Sequence, residues 1–216
     1  MAVTSVESAS AARRDSSRMR TILVLGDSLS DGFRLARSQA YPALLAQKLR
    51  KEGLNFEVIN ASASGGTTAG GLARLPPHLR RPIDILIVQL GINDAFRGVP
   101  ISQVRANLQA IIDKTKASHP HCQIVIVGMQ LPVFTEDNYV RAFGEMYQEL
   151  ADKNGAALVP YLLEGVGGSP ALNLPDRIHP NAAGHIVLAG NVWRVLEPVA
   201  RRVALEERET APARAL

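Results

Sequence analysis

The run Gly26-Asp27-Ser28-Leu29-Ser30 delivers a hydroxyl into the turn that follows a short apolar strand, Thr21-Ile-Leu-Val-Leu25. A serine at the carboxyl end of a strand in an open α/β sheet, at the start of a helix, stands where ligands bind and where unpaired N–H groups face an anion. It can be a nucleophile if a base reaches it; without one, Asp27 or Ser28 is simply a helix cap. A candidate base lies near the other end of the chain, in Asp176-Arg-Ile-His179-Pro-Asn181. In a helical turn Asp176 and His179 share one face. A carboxylate that accepts from one ring nitrogen leaves the other as a lone pair able to take a hydroxyl proton. The plain alternative is an Asp turn with an exposed histidine ahead of the last helix.

Two intermediate segments add donors. Asn60-Ala-Ser-Ala-Ser-Gly65-Gly66-Thr-Thr68 follows the apolar Phe56-Glu-Val-Ile59, and Leu90-Gly-Ile92-Asn93-Asp94 follows Ile83-Asp-Ile-Leu-Ile-Val88. Both sit at strand ends, where a glycine N–H and an asparagine amide can stabilise a developing oxyanion. Asp27 and Asp94 suit turn stabilisation better than acid catalysis.

At these places the chain resembles the SGNH hydrolases, also called the GDSL lipase/esterase family, and within it the small bacterial arylesterase, thioesterase and lysophospholipase group. Gly26-Asp-Ser-Leu-Ser30, Asn60-Ala-Ser with Gly71-Leu-Ala-Arg-Leu-Pro76, Gly91-Ile-Asn-Asp94, Gly128-Met-Gln-Leu-Pro132 and Asp176-Arg-Ile-His-Pro-Asn181 fall in that group's order. The resemblance implies Ser28 as nucleophile, His179 as general base and then acid, and Asp176 as its orienter. It implies an oxyanion hole made by the N–H groups of Ser28 and Gly65 with the side chain of Asn93. Gly66 stands where close relatives often carry an acidic residue, which is expected to loosen the oxyanion loop, and Ile92 stands where many have a second glycine. Leu29, Ile92, Val133 and Phe134 are candidate apolar contacts for the acyl group.

The activity so implied is hydrolysis of short- to medium-chain acyl esters, with aryl esters, thioesters and lysophospholipids as related substrates, through an acyl-Ser28 intermediate. The partners are a small-molecule acyl ester and water, and no metal or organic cofactor is required. The same triad would serve a carbohydrate acetylesterase or an acyltransferase. A catalytically silent lipid- or carbohydrate-binding module would keep the fold but has no need of Ser28, Asp176 and His179 together. A phosphate binder is disfavoured, because Gly26 to Gly32 lacks both a P-loop ending and a Gly-x-Gly-x-x-Gly spacing.

The elements that must position these residues follow from hydrophobic patterning. Apolar, β-branched runs near 21–26, 55–60, 83–90, 123–128 and 156–159 alternate with segments of helical period. Stripes at Tyr41, Leu44, Leu45 and Leu49, at Ile101, Val104, Leu108, Ile111 and Ile112, at Val140, Phe143, Tyr147 and Leu150, and at Ile186, Ala189, Trp193 and Leu196 read as core-facing helix faces. Ser38 is the expected cap of the first and Gly53 its stop, while Pro198 should bend or end the last. Near-continuous apolar strands imply a parallel sheet covered on both faces, an α/β three-layer sandwich. The flavodoxin-like order 2-1-3-4-5 is implied by the resemblance; the pattern alone permits others. The glycine- and proline-rich stretch from Leu162 to Pro175 is expected to rim the site or to be an ordinary connection.

A chain of 216 residues, 46% of them hydrophobic, fits a single domain. Residues 20–204 are assigned to it, with 1–19 as a disordered lead and 205–216 as a flexible tail. No apolar stretch approaches the ~20 residues that span a bilayer. Met1 to Arg20 lacks the apolar block of a secretory signal, so a cytoplasmic location is expected. The formal net charge of +4 has much of its excess in the two tails and no aromatic-basic stripe beside it, so no nucleic-acid partner is expected. The lone Cys122 excludes an intramolecular disulfide, and the histidines show no metal-ligand spacing. Oligomeric state is not legible.

Overall fold

Strands form where the apolar runs are densest. A computed structural model of the protein describes residues 19–131 and 138–210, with side chains to 205. Its five strands are β1 (Arg20–Gly26), β2 (Phe56–Asn60), β3 (Ile85–Gln89), β4 (Gln123–Val127) and β5 (Ala157–Val159). All pair in parallel, in the order β2-β1-β3-β4-β5. The expected architecture and order are therefore present. The central strands are buried along almost their whole length, β1 and β3 at every residue, as a sheet covered on both faces requires.

The helices are α1 (Ser28–Asp31), α2 (Tyr41–Lys51), α3 (Thr68–Arg74), α4 (Ile92–Phe96), α5 (Ile101–Ser118), α6 (Asn138–Asn154) and α7 (Ala182–Thr210). α2 packs against α7, and α3 and α6 pack against α5, which gives one layer on each side of the sheet. Three predicted stripes face inward: Tyr41, Leu45 and Leu49 on α2, Val104, Leu108, Ile111 and Ile112 on α5, and Phe143, Tyr147 and Leu150 on α6 are all buried, whereas on α7 Ala189 and Leu196 are buried but Ile186, expected in the same stripe, is exposed. Each large aliphatic side chain so buried contributes about 1.5–3 kcal/mol. Cys122 is buried just ahead of β4, and burial pushes its thiol up to about 12.

One expectation about helix ends needs correction. Ser38 lies in a 3₁₀ turn, Arg37–Gln39, and the residue ahead of α2 is Ala40, which offers no side-chain cap. The Tyr41 N–H donates instead to Nδ1 of His185 in α7, 3.1 Å away, so a tertiary contact does the work of a local one. Burial lowers His185 to about 4, which keeps its ring neutral and Nδ1 an acceptor. Pro198, expected to bend or end α7, does not end it. Leu196, Val199, Ala200 and Val203 around it are buried in the core, and that packing offsets the hydrogen bond its missing N–H forfeits. The helix runs to Thr210. Of the expected N-terminal lead, only Met19 lies within the described residues. Among those residues no helix is long and apolar enough to cross a membrane.

Candidate active site

The site forms where β1, the strand at which the sheet order reverses, meets its neighbours' carboxyl ends. β1 stops at Gly26, and Asp27 caps α1: its Oδ1 accepts the Leu29 N–H at 2.9 Å. The turn closes as the N–H groups of Ser30 and Asp31 donate to the Asp27 carbonyl at 3.2 and 2.9 Å. Ser28 opens the helix and is 8% exposed. Leu29, expected as an acyl contact, points into the core instead, because α1 turns that side against the sheet.

His179 is placed by a turn, not by the helical turn that the Asp176–His179 spacing suggested. Asp176 Oδ1 accepts the N–H groups of Ile178 and His179, both at 3.0 Å. Arg177 between them takes a left-handed backbone, φ 58°, and such strain for a non-glycine residue collects at functional sites. The Leu174 N–H donates to the His179 carbonyl at 2.7 Å, and the Asn181 N–H to Leu172 O at 2.9 Å. Asn181 Oδ1 then caps α7 through Gly184 N–H, 3.0 Å. The Leu162–Pro175 stretch is thus a packed connection whose end clamps the histidine turn; Leu162 and Val166 in it are buried.

These two turns bring together residues distant in sequence. His179 Nδ1 lies 2.9 Å from Asp176 Oδ2, and His179 Nε2 lies 3.0 Å from Ser28 Oγ. Hydrogen-bond donation from the backbone of His179 and Ile178 and from the His179 ring lowers Asp176 to about 2, so it is a carboxylate at neutral pH. It therefore accepts from Nδ1–H and leaves Nε2 able to accept from the serine. The Phe33 ring packs on the imidazole, centroids 4.4 Å apart, and limits its tilt.

The donor loop after β2 is tied down at several points. Ala61 and Ala63 N–H donate to Val24 O and Gly26 O at 2.8 and 3.1 Å. Ser64 donates to Asp31 Oδ2 through both its hydroxyl, 2.7 Å, and its N–H, 3.2 Å. Gly65 has φ 74°, the left-handed region that suits glycine. Gly66 is not loose: its N–H donates to Ala63 O at 2.9 Å, and an added Cβ would come within 2.8 Å of that oxygen. Among the described residues the N–H groups of Ser28 and Gly65 meet no acceptor. Asn93 donates one amide hydrogen to Gly66 O at 3.1 Å, which orients the group and leaves its second hydrogen available. Asp94 beside it accepts both the N–H and the hydroxyl of Thr68, 2.8 and 2.6 Å, joining α3 to α4. Ile92 is half-buried. Val133 and Phe134 lie outside the described residues.

Sequence reasoning missed three neighbours of Ser28 and His179. Phe33 carries no signal. Gln89 is a polar residue closing the otherwise apolar Ile85-Leu-Ile-Val88 strand, and Tyr41 was read only as core; both join a buried network beneath Ser28. A concavity of 210 Å³ lined by Arg20, Leu54, Asn55 and Arg201 lies at the opposite end of β1, away from this chemistry.

A parallel sheet of this order, with a Ser–His–Asp chain and unpaired amide donors at its strand ends, defines an SGNH-type hydrolase. The chain belongs to the GDSL-like Lipase/Acylhydrolase family, whose model matches residues 24–187. It is 41% identical to "Esterase TesA" of Pseudomonas aeruginosa over 181 residues, 83% of this chain and 89% of that protein. It is 36% identical to "Thioesterase 1/protease 1/lysophospholipase L1" of Escherichia coli K12, over 83% of this chain and 84% of that one. Among solved structures, a crystal structure of TesA superposes with a TM-score of 0.79 at 40% identity, covering 83% of this chain and 99% of that chain.

Proposed function

We propose that the protein is a serine esterase that hydrolyses short- to medium-chain acyl esters and thioesters through an acyl-Ser28 intermediate. A carboxylic ester hydrolase is what the family and its named esterase and thioesterase relatives support. The observation that carries the residue roles is the 3.0 Å contact between Ser28 Oγ and His179 Nε2, backed by Asp176 at 2.9 Å.

In this reading His179 takes the Ser28 hydroxyl proton as Oγ bonds to the substrate carbonyl carbon. The carbonyl oxygen becomes an oxyanion facing the N–H groups of Ser28 and Gly65 and the amide of Asn93. Asp176 stabilises the imidazolium, and His179 returns the proton to the leaving alcohol or thiol as its bond to carbon breaks. Water then enters, gives a proton to His179 and attacks the acyl-Ser28 ester. A second oxyanion collapses to release the acid and restore the Ser28 hydroxyl.

The test is labelling by a fluorophosphonate with mass mapping, together with a panel of p-nitrophenyl esters and acyl thioesters of increasing chain length. One adduct on Ser28 is expected, with no adduct and no turnover in Ser28→Ala. Turnover by folded Ser28→Ala at a rate near wild type would overturn the nucleophile assignment.

A further inference from the structure

Beneath Ser28 lie four polar side chains with no exposure: Asp27, Ser30, Tyr41 and Gln89. Their hydrogens sort into one order. Gln89 Nε2 donates to Asp27 Oδ2 at 3.1 Å, so its Oε1 faces the other way and accepts from Ser30 Oγ at 2.7 Å. Ser30, having given its one proton to Gln89, accepts from the Tyr41 hydroxyl at 2.7 Å. The same Oε1 lies 3.5 Å from the Asp27 N–H. Gln89 thus grips the chain on both sides of the Ser28-Leu29 step. Gly26 leaves it room, since a Cβ there would collide with Ser30 and come within 3.0 Å of the Gln89 oxygen.

We propose that Gln89 is a positioning residue for ester hydrolysis: by donating to Asp27 and accepting from Ser30, its amide fixes the turn that presents the Ser28 hydroxyl and N–H. The inference rests on Ser28 being the nucleophile. Asp27 holds the Leu29 N–H with its other oxygen, so the Gln89 bond acts on the residue that shapes the turn. A buried polar group that loses its partner is costly, and networks of this kind hold one geometry only when every member is satisfied.

The charge state of the network supplies a test. Burial pushes Asp27 up to about 7; the other charged or titratable groups facing it are Asp94 from α4, Arg74 from α3, Tyr41 from α2 and Tyr147 from α6. A glutamate at position 89 would share one proton with Asp27 in acid, and that proton would replace the Nε2–H of the amide. In alkali both carboxyls would be charged, repel each other and open the clamp. Gln89→Leu makes neither bond at any pH.

The experiment measures kcat and KM for p-nitrophenyl butyrate from about pH 6 to about pH 9 in wild type, Gln89→Leu and Gln89→Glu. Gln89→Leu is expected to lose about ten- to a hundredfold in kcat with KM within about twofold. The ratio of Gln89→Glu to wild type is expected to fall about tenfold from acid to alkali. A ratio that does not change with pH overturns the proposal whatever Gln89→Leu does, and decides alone if Gln89→Leu fails to fold. Fluorophosphonate labelling of wild-type Ser28 tests the nucleophile separately, so failure of that reading is told apart from failure of this one.

Discussion

Replacing Asp176 by asparagine isolates the orientation of His179 from the rest of its turn. The asparagine oxygen can take the place of Oδ1 and keep the N–H groups of Ile178 and His179, each at 3.0 Å. The atom that changes is Oδ2, which accepts from His179 Nδ1 at 2.9 Å. An NH₂ group there donates, so Nδ1 must accept and the ring proton moves to Nε2, the atom facing Ser28 Oγ. That nitrogen can no longer take the serine proton. The same substitution in a serine-protease triad costs about 10⁴ in kcat, which at 1.36 kcal/mol per tenfold is about 5.5 kcal/mol. Here the pair is open to water, with the His179 and Asp176 side chains 20% and 29% exposed, and solvent can restore some of the lost orientation. The expected loss is therefore about 10³ to 10⁴ in kcat, with KM little changed. Asp176 is held down to about 2, so the wild-type enzyme carries this carboxylate throughout mild acid and mild alkali. Turnover of p-nitrophenyl butyrate, with circular dichroism to verify the fold, is the assay. A loss under about tenfold would refute the reasoning.

Asn93→Ala should lower kcat about a hundred- to a thousandfold by removing an oxyanion donor, and an unchanged kcat would remove that role. Gly91→Ala should lower the melting temperature by roughly 5–10 °C, the effect of about 2–3 kcal/mol. Gly91 has φ 126° and a Cβ there would strike the Tyr147 hydroxyl, so Tyr147→Phe should recover part of the loss. Asp27 binds its proton more tightly folded than unfolded, so its contribution to stability falls as pH rises from about 3.8 to about 7 and is level above. The melting temperature of Asp27→Asn minus that of wild type should therefore become more positive between mild acid and mild alkali; thermal scans showing a constant difference would contradict the assignment.

Much of this was legible in the chain because the strands announce themselves. Ile22 to Leu25 and Ile85 to Val88 are apolar at every position, and both runs are buried at every position. Their order in the sheet was not written in that pattern; it came through the motif resemblance. The serine, the histidine and its carboxylate were readable as residue types at strand and helix ends, and the structure brings them within hydrogen-bond distance. What local patterning misjudged was set by tertiary contact. Ser38 had the right chemistry for a cap, but His185 supplies the partner from a helix far along the chain. Pro198 breaks isolated helices, yet core packing on either side carries α7 through it. Leu29 follows the serine and looked like a substrate contact, but the short helix rotates it inward. Gln89 was missed, although a polar side chain where the strand pattern calls for an apolar one is a signal that could have found it.

Tyr41 touches both halves of the site, its hydroxyl on Ser30 and its backbone N–H on His185 of the helix that follows His179. Ser28 and His179 are 151 residues apart, so a ribosome finishes the serine turn long before it makes the imidazole. A nascent chain consequently carries an inert hydroxyl until the C-terminal helix docks and joins the two through that tyrosine. In a refolding experiment, the return of ester turnover would time that docking step, and secondary structure recovered earlier would be catalytically mute.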